Sequence, residues 1–147
     1  MGFFDSIVEA KSYNNLPYIE PGNFEFVIDN VLHHKSQQGK GDFLIAEFSI
    51  VKAESQNPGL QVGGRCALRC KLVDATGAKN AKAFLLAALS SARGRPVNDV
   101  SEADQNDIFG PESVLIGKRI AASAFLKPKK LKAGEMYTHV NWFAVQQ

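Results

Sequence analysis

Arg65, Arg69 and Lys71 alternate along one short stretch, and Lys127, Lys129, Lys130 and Lys132 crowd another near the end of the chain. Between residues 65 and 95 the only acid is Asp74, and between 118 and 132 there is none. The acids Asp99, Glu102, Asp104, Asp107 and Glu112 instead fall in one segment without a base. With 17 basic and 15 acidic residues the net charge is only +2, so a simple polycation is excluded and any electrostatic attraction must come from this uneven distribution. Aromatic side chains stand near the cations: Phe43, Phe125, Tyr137 and Trp142. Cations that track phosphates, together with planes on which bases stack, are the chemistry of a groove for single-stranded nucleic acid.

Other chemistries find little support. Gly39-Lys40-Gly41 and Gly63-Gly64 lack the spacing and the following helix of a phosphate-binding loop, and there is no nucleophile elbow or His-Glu-x-x-His helix. Cys66 and Cys70 lie four residues apart, roughly 13 Å on a strand, too far to chelate one ion or form a local disulfide. His33 and His34 are adjacent and would face opposite ways, and His139 adds no ligand spacing. The expectation is a protein without catalytic residues, metal or cofactor.

The elements that must position these residues follow from periodicity. A chain of 147 residues, 45% hydrophobic and 22% charged, is too apolar for a disordered chain and of a size for one domain, residues 1–147. Residues 1–20 form an arm or short helix in which Phe3, Phe4, Ile7 and Val8 recur at helical spacing. From Asn23, Phe24, Phe26 and Ile28 alternate with Glu25 and Asp29, a half-buried strand. A polar loop from His33 to Asp42 leads to a second strand, Phe43 to Val51. A third covers Arg65 to Val73, with Cys66, Leu68, Cys70 and Leu72 on one face and Arg65, Ala67, Arg69 and Lys71 on the other.

The period then changes to 3.6: Ala81, Phe84, Leu85, Ala88, Leu89 and Ala92 make an apolar stripe that stops at Gly94 and Pro96, the mark of a helix. Residues 99–112 read as an acidic loop with at most a helical turn. Strands from about Val114 to Lys127 and from Tyr137 to Val145 close the chain. No run of 18 apolar residues occurs, and the start has no basic and apolar leader, so a cytoplasmic protein with no membrane partner is expected.

The order β-β-β-α-β-β, mainly β with one helix between strands three and four, predicts a five-stranded OB-fold barrel. In that fold the second and third strands and two loops form the binding face. It would take phosphate on Arg65, Arg69, Lys71, Arg119, Lys127, Lys129, Lys130 and Lys132, with Lys35 and Lys40 from the first loop. Bases would stack on Phe43, Phe125, Tyr137 and Trp142, although parity puts Trp142 on a face with Met136 and Val140, where core packing competes.

The sequence resembles the small OB-fold single-stranded-DNA-binding proteins of bacteriophages and prophages. The residues that carry the resemblance are the Met1-Gly2-Phe3-Phe4-Asp5 opening, Pro21-Gly22-Asn23-Phe24, Asp42 to Phe48 followed by Val62-Gly63-Gly64, the Asn80–Leu89 helix with Lys82-Ala83-Phe84, and Asn141-Trp142. The resemblance implies a non-enzymatic protein that coats single-stranded DNA with little sequence preference during viral replication or recombination. Its partners would be single-stranded DNA, phage or host replication and recombination proteins, and further copies of itself. The host cytoplasm would be its location. Bacterial relatives of this wider class end in an acidic, apolar tail, whereas this chain ends Val145-Gln146-Gln147, which points self-association to other surfaces such as Phe3–Val8. The competing expectation is an OB-fold protein-interaction module, a replisome or virion component that does not touch nucleic acid.

Overall fold

The structure is a computed structural model that describes residues 12–13, 16–35, 42–129 and 134–147. Two short strands, β1 (Ser12–Tyr13) and β2 (Leu16–Pro17), pair with each other. Five longer strands make one antiparallel sheet: β3 (Gly22–Lys35), β4 (Asp42–Glu54), β5 (Arg65–Lys71), β6 (Arg119–Pro128) and β7 (Met136–Ala144), in the order β5-β4-β3-β6-β7. Helix α1 (Ala75–Arg93) joins β5 to β6, followed by a second helix, α2 (Glu102–Ile108). Among the described residues no helix is long and apolar enough to cross a membrane.

Alternation decides which face is inside. Phe24, Phe26, Ile28 and Val31 of β3 are buried, as are Leu44, Ala46, Phe48 and Ile50 of β4 and Ile120, Ala122 and Ala124 of β6. Phe26 stacks on Phe24 at 5.4 Å and on Phe48 at 4.9 Å between ring centroids. Helix α1 covers this layer with Ala81, Phe84, Ala88 and Leu89, and Phe84 meets Phe48 edge-on at 5.6 Å. The helix stops where Gly94 takes a left-handed conformation (φ 67°) and donates its amide to the Ser90 carbonyl, a conformation glycine adopts without steric cost.

The sheet is open, which corrects the expectation of a closed barrel. β5 and β7 are its two edges and do not pair. The free side of β5 carries a parallel bridge between Tyr18 and Ala67, and α1 packs against β5, β6 and β7. The Val145 amide, just past β7, donates to Ser91 Oγ of α1 at 2.9 Å. α1 thus reaches both edge strands, and the bridge lies on the free side of β5. The pairing of β3 with β4 shifts register at Glu25/Phe26 and at Ile28/Asn30. β3 pairs with β6 only over Gly22–Val27, and beyond that Ile28 exchanges hydrogen bonds with Lys118 (2.9 Å) and Gly117 (2.7 Å).

Other boundaries also move. The acidic segment contains α2 because Ser101 and Asp104 form a reciprocal capping box and Ile108 is fully buried beneath it. The strand expected from Val114 starts at Arg119; residues 114–118 turn instead, with Leu115 buried. The first hairpin is longer than expected, since Lys35 and Asp42 already pair in register. The proposed Phe3–Val8 segment lies outside the described residues.

Candidate nucleic-acid interface

Cross-strand pairing between β4 and β5 places Phe43 opposite Lys71 and Ile45 opposite Arg69, so Phe43, Arg69 and Lys71 share the outer face. The Arg69 guanidinium lies over the Phe43 ring, 4.1 Å from its centroid. Tyr18, carried to this edge by its bridge to Ala67, completes an open pocket lined by Tyr18, Phe43, Arg69 and Lys71. Lys71 is held from behind. Its carbonyl accepts from the Asp74 amide at 3.3 Å, and the Leu72 amide next to it donates to the Asp42 carbonyl at 2.8 Å. Gly77 in the first turn of α1 approaches so closely that a Cβ there would sit 2.0 Å from the Lys71 oxygen.

A second unit forms between β6 and β7, where Phe125 pairs with His139 and Lys127 with Tyr137. Phe125 is 37% exposed, and the Lys127 ammonium stands 5.5 Å from its ring centroid. The His139 ring lies 5.3 Å from Phe125 and 6.4 Å from Tyr137, and its Nε2 is 3.0 Å from Asn141 Oδ1. Both units lie on the outer face, at opposite ends of β3: Phe43 pairs with His34, and Ala124, next to Phe125, pairs with Gly22. The contour of β3 between those positions is roughly 40 Å.

The remaining sequence-derived candidates fare differently. Arg65 Nε binds Asp29 Oδ2 at 3.2 Å, and Ser49 Oγ donates to the same oxygen at 2.7 Å. Arg119 Nε binds Glu25 Oε1 at 2.9 Å, and Lys52 binds the other oxygen of that carboxylate at 3.4 Å. Lys129 pairs with Glu135 at 3.2 Å. These three cations already have a carboxylate each, supplied by β3 and by the loop before β7. Arg69, Lys71 and Lys127 have none within ion-pair distance among the described residues. Lys35 is exposed at the end of β3. Lys40, Lys130 and Lys132 lie outside the described residues.

Trp142 faces inward, which removes it from the exposed stacking surfaces. Its ring sits 5.0 Å from Phe84, 5.6 Å from Phe48 and 6.2 Å from Phe26. Cys66 and Cys70 are free and buried, and burial pushes both thiols up to about 12. Among the described residues no group of three His, Cys, Asp or Glu side chains could hold a metal ion. Two acids of the 99–112 segment turn toward α1: Asp104 pairs with Arg93 and Asp99 with Lys82 at 3.2 Å.

Tyr18 and His139 were not singled out from the sequence as binding residues. His139 alternates with Tyr137 along the strand, a signal that was there to be read, whereas nothing local links Tyr18 to Arg69. No known protein-family model matches the chain, and no curated protein matches it, so a functional reading rests on these residues and their geometry.

Proposed function

We propose that this protein binds single-stranded DNA along the outer face of its sheet, with little sequence preference, and coats it during replication or recombination of a viral genome. The sheet is then an opened form of the OB arrangement, with α1 packed against both edge strands. One observation carries the reading: an aromatic ring at least partly open to solvent, with an uncommitted cation, occurs twice on one face, at Phe43 with Arg69 and Lys71 and at Phe125 with Lys127. A small ligand could use one unit. Only an extended polymer of alternating anion and ring can use both across a strand contour of roughly 40 Å.

Phosphates would contact Arg69, Lys71 and Lys127, with bases on Phe43 and Phe125. Arg65, Arg119 and Lys129 contribute less, because each must first give up a carboxylate. The reading assigns no catalytic step to the protein.

Fluorescence anisotropy of a labelled oligo-dT of about 30 nucleotides tests it, at two salt concentrations and with duplex DNA as competitor. The expected result is tight binding that duplex competes for poorly, with log affinity falling by about 0.7 per phosphate neutralised for each unit of log salt. No binding at low salt overturns the reading and leaves the sheet as a protein-interaction module.

A further inference from the structure

The two edges of the sheet are built differently. β5 carries Arg65, Arg69 and Lys71 along seven residues, and the Tyr18–Ala67 bridge occupies its free side. Charges and a covering segment are how natural sheets keep an edge from pairing with another chain. β7 has neither. Its nine residues, Met-Tyr-Thr-His-Val-Asn-Trp-Phe-Ala, include no Asp, Glu, Lys or Arg and no proline, and its pairing with β6 runs without a bulge from Ile120↔Ala144 to Pro128↔Met136. Among the described residues its backbone has no partner beyond the β6 ladder until Val145 reaches Ser91. Met136 and Phe143, near its two ends, are 50% and 51% exposed.

We propose that β7 is a self-association edge: it pairs antiparallel with β7 of a second copy of this chain, about a twofold axis at Val140. The side chains select that partner and that axis. On the outer face the axis sets Tyr137 against Phe143 of the second copy, covering an exposed ring with an aromatic neighbour, and His139 against its Asn141, a donor and acceptor pair already within 3.0 Å inside one chain. Each contact occurs twice, and no like charges face each other across the axis. The pairing also closes on itself. Continuing it into a fibre would require the β5 edge of one dimer to pair with the β5 edge of another, and that edge is charged and bridged. The dimer is a ten-stranded sheet whose outer faces run on from one copy to the next, and Tyr137 then belongs to the interface more than to a base.

Sedimentation velocity of the full chain at tens of micromolar tests the proposal. The wild type is expected at twice 16.0 kDa. His139→Asp with Asn141→Asp in one chain places two like-charge pairs across the axis and weakens association by about tenfold or more. His139→Lys with Asn141→Asp makes both pairs opposite in sign and keeps the dimer. Circular dichroism checks that each variant is folded; if the double aspartate variant is not, Phe143→Lys replaces it, with loss of the dimer expected. Three results would each overturn the proposal: a monomeric wild type, a dimer that survives the double aspartate or Phe143→Lys change, or a folded but monomeric variant carrying His139→Lys with Asn141→Asp.

Discussion

Arg69 rests its guanidinium on the ring of Phe43, 4.1 Å from the centroid, across two neighbouring strands. The contact orders a long side chain that would otherwise sample many rotamers, and it holds the cation beside Lys71 without neutralising it. An anion reaching this corner meets two positive charges that no acid among the described residues has claimed. The ring beneath them is only partly covered.

Substitutions at this corner separate stacking from charge. Phe43→Ala is expected to lower affinity for oligo-dT by the ~1–3 kcal/mol of a base–aromatic contact, roughly 5- to 150-fold, and to leave most of the salt dependence in place. Lys71→Ala removes a phosphate contact, so the salt slope falls by about 0.7 along with affinity. Arg65→Ala, which mainly unpairs Asp29, should change affinity much less. Anisotropy titrations at three salt concentrations distinguish the three variants.

Trp142 is the only tryptophan and reports on the core. Packed against Phe26, Phe48 and Phe84, it should keep its emission maximum and intensity when saturating oligo-dT is added, and collisional quenching by iodide should be weak. Trp142→Ala is expected to cost about 3 kcal/mol of stability, seen in urea denaturation, through the cavity it leaves. Strong quenching by DNA would place the ring at the interface instead.

Gly77 links the helix to the binding corner. Its replacement by alanine drives a methyl group into the Lys71 carbonyl, with no flexible side chain to give way, so α1 must shift away from β5. The expected cost is about 1–3 kcal/mol or more, with a loss of DNA affinity beyond that of the neighbouring change Ala78→Gly. Thermal denaturation and anisotropy on the two variants make the comparison.

Asp104 gives the fold a dependence on acid. The Arg93 guanidinium, with help from Ser101, holds its carboxyl down at about 2, below the ordinary value of about 3.9. A carboxylate depressed in the folded state favours folding above its unfolded value, and that contribution is lost as pH falls from about 4 to about 2. Asp104→Asn should therefore lower stability at pH 6 and narrow its gap to wild type as pH approaches 2. Urea denaturation at about pH 2, 3, 4 and 6 checks the sign.

Much of the inner architecture was legible from residue order. Phe24, Phe26 and Ile28, Cys66 and Cys70, and the Ala81–Ala92 stripe point inward as their periods require. Helix α2 was legible in principle from Ser101 and Asp104, but seven residues carry too little periodicity to outweigh an acidic, loop-like composition. Of the candidate binding residues, Phe43, Arg69, Lys71, Phe125 and Lys127 meet as their parity demands. Arg65, Arg119 and Lys129 were as conspicuous in the sequence, yet each meets an acid.

The chain by itself determines which side of each strand is apolar, where α1 begins and ends, and which faces carry cations, because these depend on neighbours a few residues away. Tertiary structure alone decides that Asp29 neutralises Arg65 across 36 residues of sequence, that Tyr18 arrives beside Arg69, and that the sheet stays open around α1. Those outcomes depend on strand register, and register here turns on two shifts between β3 and β4 and on a helix packed against both edge strands, none of which leaves a periodic trace.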